Sequence, residues 1–252
     1  MPNDLAIQPS PSNTSREEVP IRLPKVALRV LRRERRDFES LFGVSDLPLA
    51  RLRLREQLRH QGFRESVLNA LDLVPRHVFV STKTALAYVD IALEDRRAFV
   101  HAPSKVATVV STLHSSTAKV LELGTGSGYQ SAVLAAFGAD VTTIDASDSR
   151  HQAARERFSI LGLNVQTLTR ENDAMEGLDP ASFDLIVVNE MLRQAPRRLL
   201  GYLRDGGRTV VPMLMADSTT RLISYQQRSS ALAVVDLGPC AAPGKQKEAR
   251  TC

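Results

Sequence analysis

The sequence predicts a doubly wound α/β protein: a mostly parallel sheet of seven strands, preceded by a helical cap and closed by an antiparallel C-terminal hairpin. Three observations carry that prediction. From Lys119 onward, short β-rich runs alternate with helical patterns, as in a parallel sheet flanked by helices. A glycine-rich segment, Gly124-Thr125-Gly126-Ser127-Gly128, stands where the first of these runs gives way to a helix. Near the end, Arg221 to Tyr225 and Ala231 to Asp236 are two strand-like runs joined by a short polar turn, the pattern of a hairpin at a sheet edge.

Taken in order, residues 1 to 20 carry four prolines and many Ser, Asn and Thr with almost no apolar periodicity. Such a stretch buries too little surface to offset its ordering entropy, and disorder is expected. Residues 21 to 80 read as a helical extension and cap. An Arg-rich helix over 23 to 42 would end at Gly43, and a second, Leu47 to Gln61, repeats Leu52, Leu54 and Leu58 before Gly62. A third, Arg64 to Leu73, would stop at Val74-Pro75, because the residue before proline is forced out of the helical region. Residues 81 to 239 form the α/β domain, with strands over Lys119 to Leu123, Val141 to Asp145, Val165 to Thr169, Asp184 to Asn189 and Arg208 to Val211. Between the first two, Tyr129, Ala132, Val133, Ala136 and Phe137 recur at helical spacing and define one apolar face. Residues 240 to 252 read as a tail.

At 252 residues and 43% hydrophobic content, the chain is long enough for one domain with extensions. It has no apolar run of membrane-spanning length and no secretory signal at its start, so a cytoplasmic protein without membrane contact is expected. The only cysteines, Cys240 and Cys252, lie in the tail away from any histidine cluster; no metal site is expected. The net charge of +5 is densest over Arg29 to Arg36, where a helix would scatter it around its axis. That is a solvated basic face, and a nucleic-acid partner is not expected. A monomer is expected.

The glycine spacing carries the first chemical information. A dinucleotide fingerprint would place its third glycine at position 129, where this chain has Tyr129, so a pyrophosphate cradle is disfavoured. The G-x-G-x-G spacing suits S-adenosylmethionine, which has no phosphate; its amino-acid portion could meet the open backbone of Gly124, Thr125, Gly126, Ser127 and Gly128 and the strand-end Glu122. Asp145 lies 21 residues beyond Gly124 at the end of the next strand, where a carboxylate can accept both ribose hydroxyls. Its alternative role is a helix cap. Asp173, in Asn172-Asp173 after the third strand, could accept from the adenine amino group or simply form an Asx turn.

A family resemblance emerges from longer segments. Val67 to Ala70 with Val74-Pro75-Arg76-His77-Val78-Phe79-Val80, then Ala87-Tyr88-Val89-Asp90-Ile91-Ala92-Leu93, then Val120 through Gly128-Tyr129-Gln130 together resemble protein-L-isoaspartate O-methyltransferases. The resemblance spans roughly 50 to 213, and Gly206-Gly207 and Val210-Val211-Pro212 continue it. It implies a Rossmann-like methyltransferase fold and S-adenosylmethionine as cofactor, with S-adenosylhomocysteine as product. The implied acceptor is an isoaspartyl or aspartyl carboxylate in a protein or peptide, in a protein-repair reaction. It also favours Asp145 and Asp173 as the ribose and adenine contacts.

Departures from the family fall in the loops. The family's Gln-Thr-Ile-Ser-x-Pro segment, whose serine is regarded as the active-site residue, is Ala98-Phe99-Val100-His101-Ala102-Pro103 here, so His101 stands at the serine position. The Gly-rich stretch before it is Glu94-Asp95-Arg96-Arg97. The Gly-Asp-Gly after the third strand is Asn172-Asp173-Ala174, and the small residues after the fourth are Asn189-Glu190-Met191, which place Asn189 among the cofactor candidates. His101 is the catalytic candidate, able to position a carboxylate by hydrogen bond or charge because its intrinsic pKa lies near neutrality. Three readings remain open: isoaspartyl methylation, methylation of another peptide carboxylate, and cofactor binding without catalysis.

Overall fold

The structure, a computed structural model, describes residues 8–9, 46–80, 85–95, 98–170, 173–228 and 231–240. The Arg-rich helix expected over 23 to 42, the basic run Arg29 to Arg36, Asn172 and the tail beyond Cys240 lie outside the described residues. Eight strands form the main sheet: β1 (Gln8–Pro9), β4 (Lys119–Leu123), β5 (Asp140–Asp145), β6 (Val165–Thr169), β7 (Phe183–Val188), β8 (Leu203–Leu214), β9 (Thr220–Arg228) and β10 (Ala231–Pro239). A separate pair, β2 (Leu93–Asp95) and β3 (Ala98–Val100), is antiparallel.

The main sheet runs β1-β10-β9-β8-β7-β4-β5-β6. β6, β5, β4, β7 and β8 are parallel neighbours, while β9 is antiparallel to both β8 and β10. These are the seven strands the sequence predicts. β1 adds an eighth, pairing Gln8 and Pro9 with Val235 and Asp236, inside the stretch expected to be disordered. The C-terminal hairpin and β8 are longer than their apolar cores suggested. Asp205 and Gly206 lie exposed within β8, where its register against β7 shifts between the Phe183–Leu203 and Leu185–Arg208 pairs.

The chain leaves β4 toward β5 and β6 on one side and returns to β7 and β8 on the other. The strand order reverses between β4 and β7, and in open α/β sheets the crevice at the carboxyl ends beside such a reversal is where ligands bind. Alternation along β4 sends Val120 and Glu122 to one face and Leu121 and Leu123 to the other, matching the two apolar clusters on either side of the sheet.

Helices cover the sheet: α1 (Asp46–His60), α2 (Glu65–Leu73), α3 (Pro103–Ser111), α4 (Tyr129–Phe137), α5 (Asp148–Leu161) and the one-turn α6 (Arg197–Leu200). α1 buries Leu47, Leu54 and Leu58, while Leu52, from the same predicted pattern, is exposed. α5 starts on the Ser147 cap, whose hydroxyl accepts from Arg150 N, and ends at the left-handed Gly162. The apolar face predicted for α4 proved too narrow. Gln130, Ser131 and Leu134 are buried as well, because α2 and α3 pack over the side that would otherwise face water.

The segment ahead of α3 is held by Arg76. Its guanidinium, 1% exposed, donates to the carbonyls of Ala87, Val89 and Ile91 on one side and of Val100 and His101 on the other, and lies over the Tyr129 ring. A rigid fork with five donors can gather several carbonyls at once, so Arg76 ties β3 and His101 to the cap.

Candidate active site at the strand reversal

Three segments meet at the carboxyl ends of β4 and β7: the glycine loop, the residue after β7, and the segment from β3 into α3. Asn189 is where they join. Its backbone N–H donates to Leu123 O, and its Nδ2 donates to Glu122 Oε1 at 2.9 Å and Gly124 O at 2.8 Å. That orientation turns Oδ1 toward His101 Nε2 at 2.8 Å, Lys105 Nζ at 3.0 Å and Gln130 Nε2 at 3.0 Å.

Glu122 lies beneath the loop with none of its surface exposed. Asn189 and Gln130 donate to Oε1; the Ser131 and Thr143 hydroxyls donate to Oε2. Burial pushes its carboxyl pKa up, and the four hydrogen bonds oppose that shift. With both oxygens engaged, Glu122 acts as a scaffold under the site. From Thr143 the network continues through Thr125 to His151, whose Nε2 and Nδ1 lie 2.9 Å from the Thr125 and Thr169 hydroxyls.

Glycine at 126 and 128 answers to the protein itself as well as to any ligand. Both have positive φ, and a Cβ on Gly126 would stand 3.1 Å from the Phe99 carbonyl oxygen. On Gly128 it would stand 2.9 Å from Phe158 Cζ and 3.0 Å from Ala154 Cβ. Gly128→Ala therefore combines left-handed strain of about 1–2 kcal/mol with overpacking of about 1–3 kcal/mol. Urea unfolding should register a loss of roughly 2–4 kcal/mol, and an unchanged midpoint would show that α5 can move aside.

Asp145 ends β5 beside the loop, mostly buried. Its carboxylate accepts from Gly126 N at 3.2 Å, from Ser147 N at 2.9 Å and from Arg150 through Nε and a terminal nitrogen. Burial alone would raise its pKa, but the bonds from Arg150, Ser147 and Gly126 outweigh it and hold the carboxyl below the usual range. It is thus ionised at neutral pH, with a half-exposed arginine as its counter-ion. The cap that α5 needs is Ser147, which leaves Asp145 free of that duty. Asp173, half-exposed, lies beyond the end of β6; the Met175 N–H and then Arg198 hold its pKa down. Its bond to Met175 N is the Asx-type turn that spacing alone allowed.

His101 is buried, its ring edge-on to Phe99. Because Asn189 Oδ1 is an acceptor, His101 Nε2 must donate, and Nδ1 then carries the lone pair. Nδ1 has no partner among the described residues, and neither has Gln130 Oε1. Burial, then the neighbouring Lys105 charge, drive the His101 pKa well below its ordinary value, so the ring is neutral at pH 7. It offers a hydrogen-bond acceptor, not a positive charge. The charge resides instead on Lys105, which is also buried and has its pKa pushed down to about 7, chiefly by burial.

Of the residues that sequence reasoning selected, Glu122, Gly124, Thr125, Gly126, Ser127, Gly128, Asp145, Asn189 and His101 converge on this crevice, while Asp173 lies beyond the end of β6, bonded to Met175 N and Arg198. Lys105, Gln130, Thr143 and Arg150 were missed. Lys105 left a trace: a lone charge in the otherwise apolar and small run of α3, Pro103-Ser104-Lys105-Val106-Ala107. Among the described residues no group of three or more His, Cys, Asp or Glu is placed to hold a metal ion, and no helix is long and apolar enough to cross a membrane.

A parallel sheet reversing between β4 and β7, a G-x-G-x-G loop after β4 and an acid at the end of β5 define the class: a Rossmann-like methyltransferase. Comparison narrows the class. The protein-L-isoaspartate(D-aspartate) O-methyltransferase family profile matches residues 50–239, so the chain belongs to that family. A protein-L-isoaspartate O-methyltransferase of Stenotrophomonas maltophilia is 40% identical over 166 residues, covering 64% of this chain and 73% of the relative. One from Hahella chejuensis is 38% identical over 186 residues, covering 72% and 87%. Among solved structures, a protein-L-isoaspartate O-methyltransferase aligns with TM-score 0.65 at 21% identity over 77% of this chain and 66% of that one. A Plasmodium falciparum structure assigned to the same family, in complex with S-adenosyl-L-homocysteine, aligns at 0.61 and 16% identity over 75% and 94%. These two support the fold.

Proposed function

We propose that this chain transfers the methyl group of S-adenosylmethionine to the α-carboxylate of isoaspartyl residues in proteins or peptides, a repair-type reaction in the cytoplasm. The observation that carries this reading is the family match, which spans residues 50–239. The residues present suit the cofactor. Asp145 is an ionised carboxylate at the end of β5, next to the glycine loop, where a ribose diol can replace Arg150. Arg150 is half-exposed and can turn to solvent, while the diol hydroxyls take over its hydrogen bonds to the buried carboxylate. In this reading Asn189, Gly124 and the loop backbone receive the amino-acid portion, and Asp173 the adenine.

When bound, S-adenosylmethionine supplies a methyl carbon already activated by its sulfonium. The protein's share is positioning: Arg76 and Asn189 hold the β3 to α3 segment against the glycine loop, and burial of His101 and Lys105 keeps bulk water out. An ionised carboxylate needs no base, which is consistent with a site that has lost the family's serine hydroxyl. The test is incubation with a methyl-labelled donor and paired peptides differing only in aspartyl or isoaspartyl linkage. Label is expected on the isoaspartyl peptide alone; cofactor binding without transfer to it would overturn the reading.

A further inference from the structure

Lys105 presents a problem that the cofactor side does not solve. Only 8% of the residue is exposed, and among the described residues its single hydrogen bond is the one to Asn189 Oδ1. Among the described residues it forms no ion pair, and an ammonium has three N–H groups to satisfy. A buried ammonium with one hydrogen bond and no direct ion pair is costly, and replacing it with a hydrocarbon side chain of similar size would usually stabilise a protein. A lysine kept in that position therefore points to a negative group that is not part of the chain. Four residues away, the buried His101 carries an Nδ1 lone pair with no partner among the described residues. Asn189 joins the two, so a spare donor cluster and a spare acceptor are held side by side.

We infer that Lys105 and His101 form a two-point receptor for the methyl acceptor, the Lys105 ammonium receiving its carboxylate and His101 Nδ1 accepting the amide N–H carried on the same Cα. This rests on the carboxylate-acceptor reading above and sharpens it. An isoaspartyl residue offers a free carboxylate and an N–H on one carbon, whereas the side-chain carboxylate of an ordinary aspartate stands one methylene further from its N–H. The pair thus selects for linkage as well as for charge. It occupies the segment where the family's serine lies, so a charge and a lone pair stand in for a hydroxyl.

The receptor should titrate. The charged and titratable groups around Lys105 are Glu122 on β4, Cys240 beyond β10 and His101 on its own segment, with Arg76 facing His101 in turn. Burial brings the Lys105 pKa to about 7, so its ammonium is present below pH 7 and is lost as pH rises through that value. The acceptor carboxylate stays ionised above its ordinary pKa of about 4. Acceptor affinity should accordingly be highest at about pH 5–6.5 and decline toward pH 8.5.

Calorimetric titration of the full chain, saturated with S-adenosylhomocysteine, tests this with an isoaspartyl peptide at pH 6 and pH 8.5. The wild type is expected to bind about tenfold more weakly at pH 8.5, from loss of one charged hydrogen bond. Lys105→Met should bind at pH 6 as the wild type does at pH 8.5, with a melting temperature no lower than wild type. Lys105→Arg should keep acceptor binding and abolish its pH dependence. A peptide methylated on the isoaspartyl nitrogen should lose affinity for the wild type and not for His101→Ala. Peptide binding that is independent of both pH and Lys105 overturns the receptor and leaves the methylation reading intact. The expected binding pattern without methyl transfer supports the receptor and overturns methylation; no binding of the isoaspartyl peptide by the wild type overturns both.

Discussion

Asp145→Asn is expected to weaken S-adenosylhomocysteine binding by about ten- to a hundredfold. A hydrogen bond to a charged group contributes about 1.5–3 kcal/mol, and each 1.4 kcal/mol is tenfold in affinity. The amide keeps the shape of Asp145 but replaces one acceptor oxygen with a donor, so it cannot take both hydroxyls of a diol. The opposite sign is expected for Arg150→Ala, because Arg150 occupies the same carboxylate through its bidentate bonds. Removing that competitor should tighten binding by up to about fivefold, about 1 kcal/mol of affinity. Titration calorimetry across both variants checks the set. Unchanged affinity in Asp145→Asn would remove Asp145 from the cofactor site.

Glu122→Leu is expected to have the largest effect on stability. It strips the acceptor from Asn189, Gln130, Ser131 and Thr143 at once, inside a fully buried site. Each unmet buried donor costs about 1–3 kcal/mol, and a total of roughly 5 kcal/mol or more would consume much of a typical domain's stability of about 5–15 kcal/mol. The variant should accumulate poorly or melt well below wild type. Glu122→Gln retains one carbonyl oxygen, and hydroxyls can rotate to accept from its amide, so a milder loss of about 1–3 kcal/mol is expected. Urea unfolding distinguishes the two. A Glu122→Leu protein as stable as wild type would mean that those donors find other partners.

Much of the fold was legible because its signals are local. The strand runs, the glycine turn and the proline that stops α2 depend on neighbours a few residues away. What was misread depended on distant packing. The pattern of α4 suggested one buried face, but α2 and α3 cover the other; β2 and β3, three residues each, were too short to leave an alternation. At the site, Asp145 was legible from the order of glycine loop, helix, strand and acid, whereas its partner Arg150 was not, because nothing in a helix's first turn marks which way an arginine folds back. His101 was singled out from the family comparison as a group able to use charge, and its burial beside Lys105 leaves it neutral.

The sequence by itself determined the strand-loop-helix unit at Gly124 to Gly128, the acid at the next strand end and the family, because short-range sterics and residue order suffice for each. Only the tertiary structure decided the chemistry of the acceptor side. His101 and Lys105 lie 88 and 84 residues from Asn189 and meet it only because β7 returns beside β4 in the sheet. Their protonation follows from that meeting: burial, then the Lys105 charge, withdraw charge from the histidine, and burial brings the lysine pKa down to about 7. Desolvation and Coulomb terms act through space, so their sign at these residues was set by the sheet order.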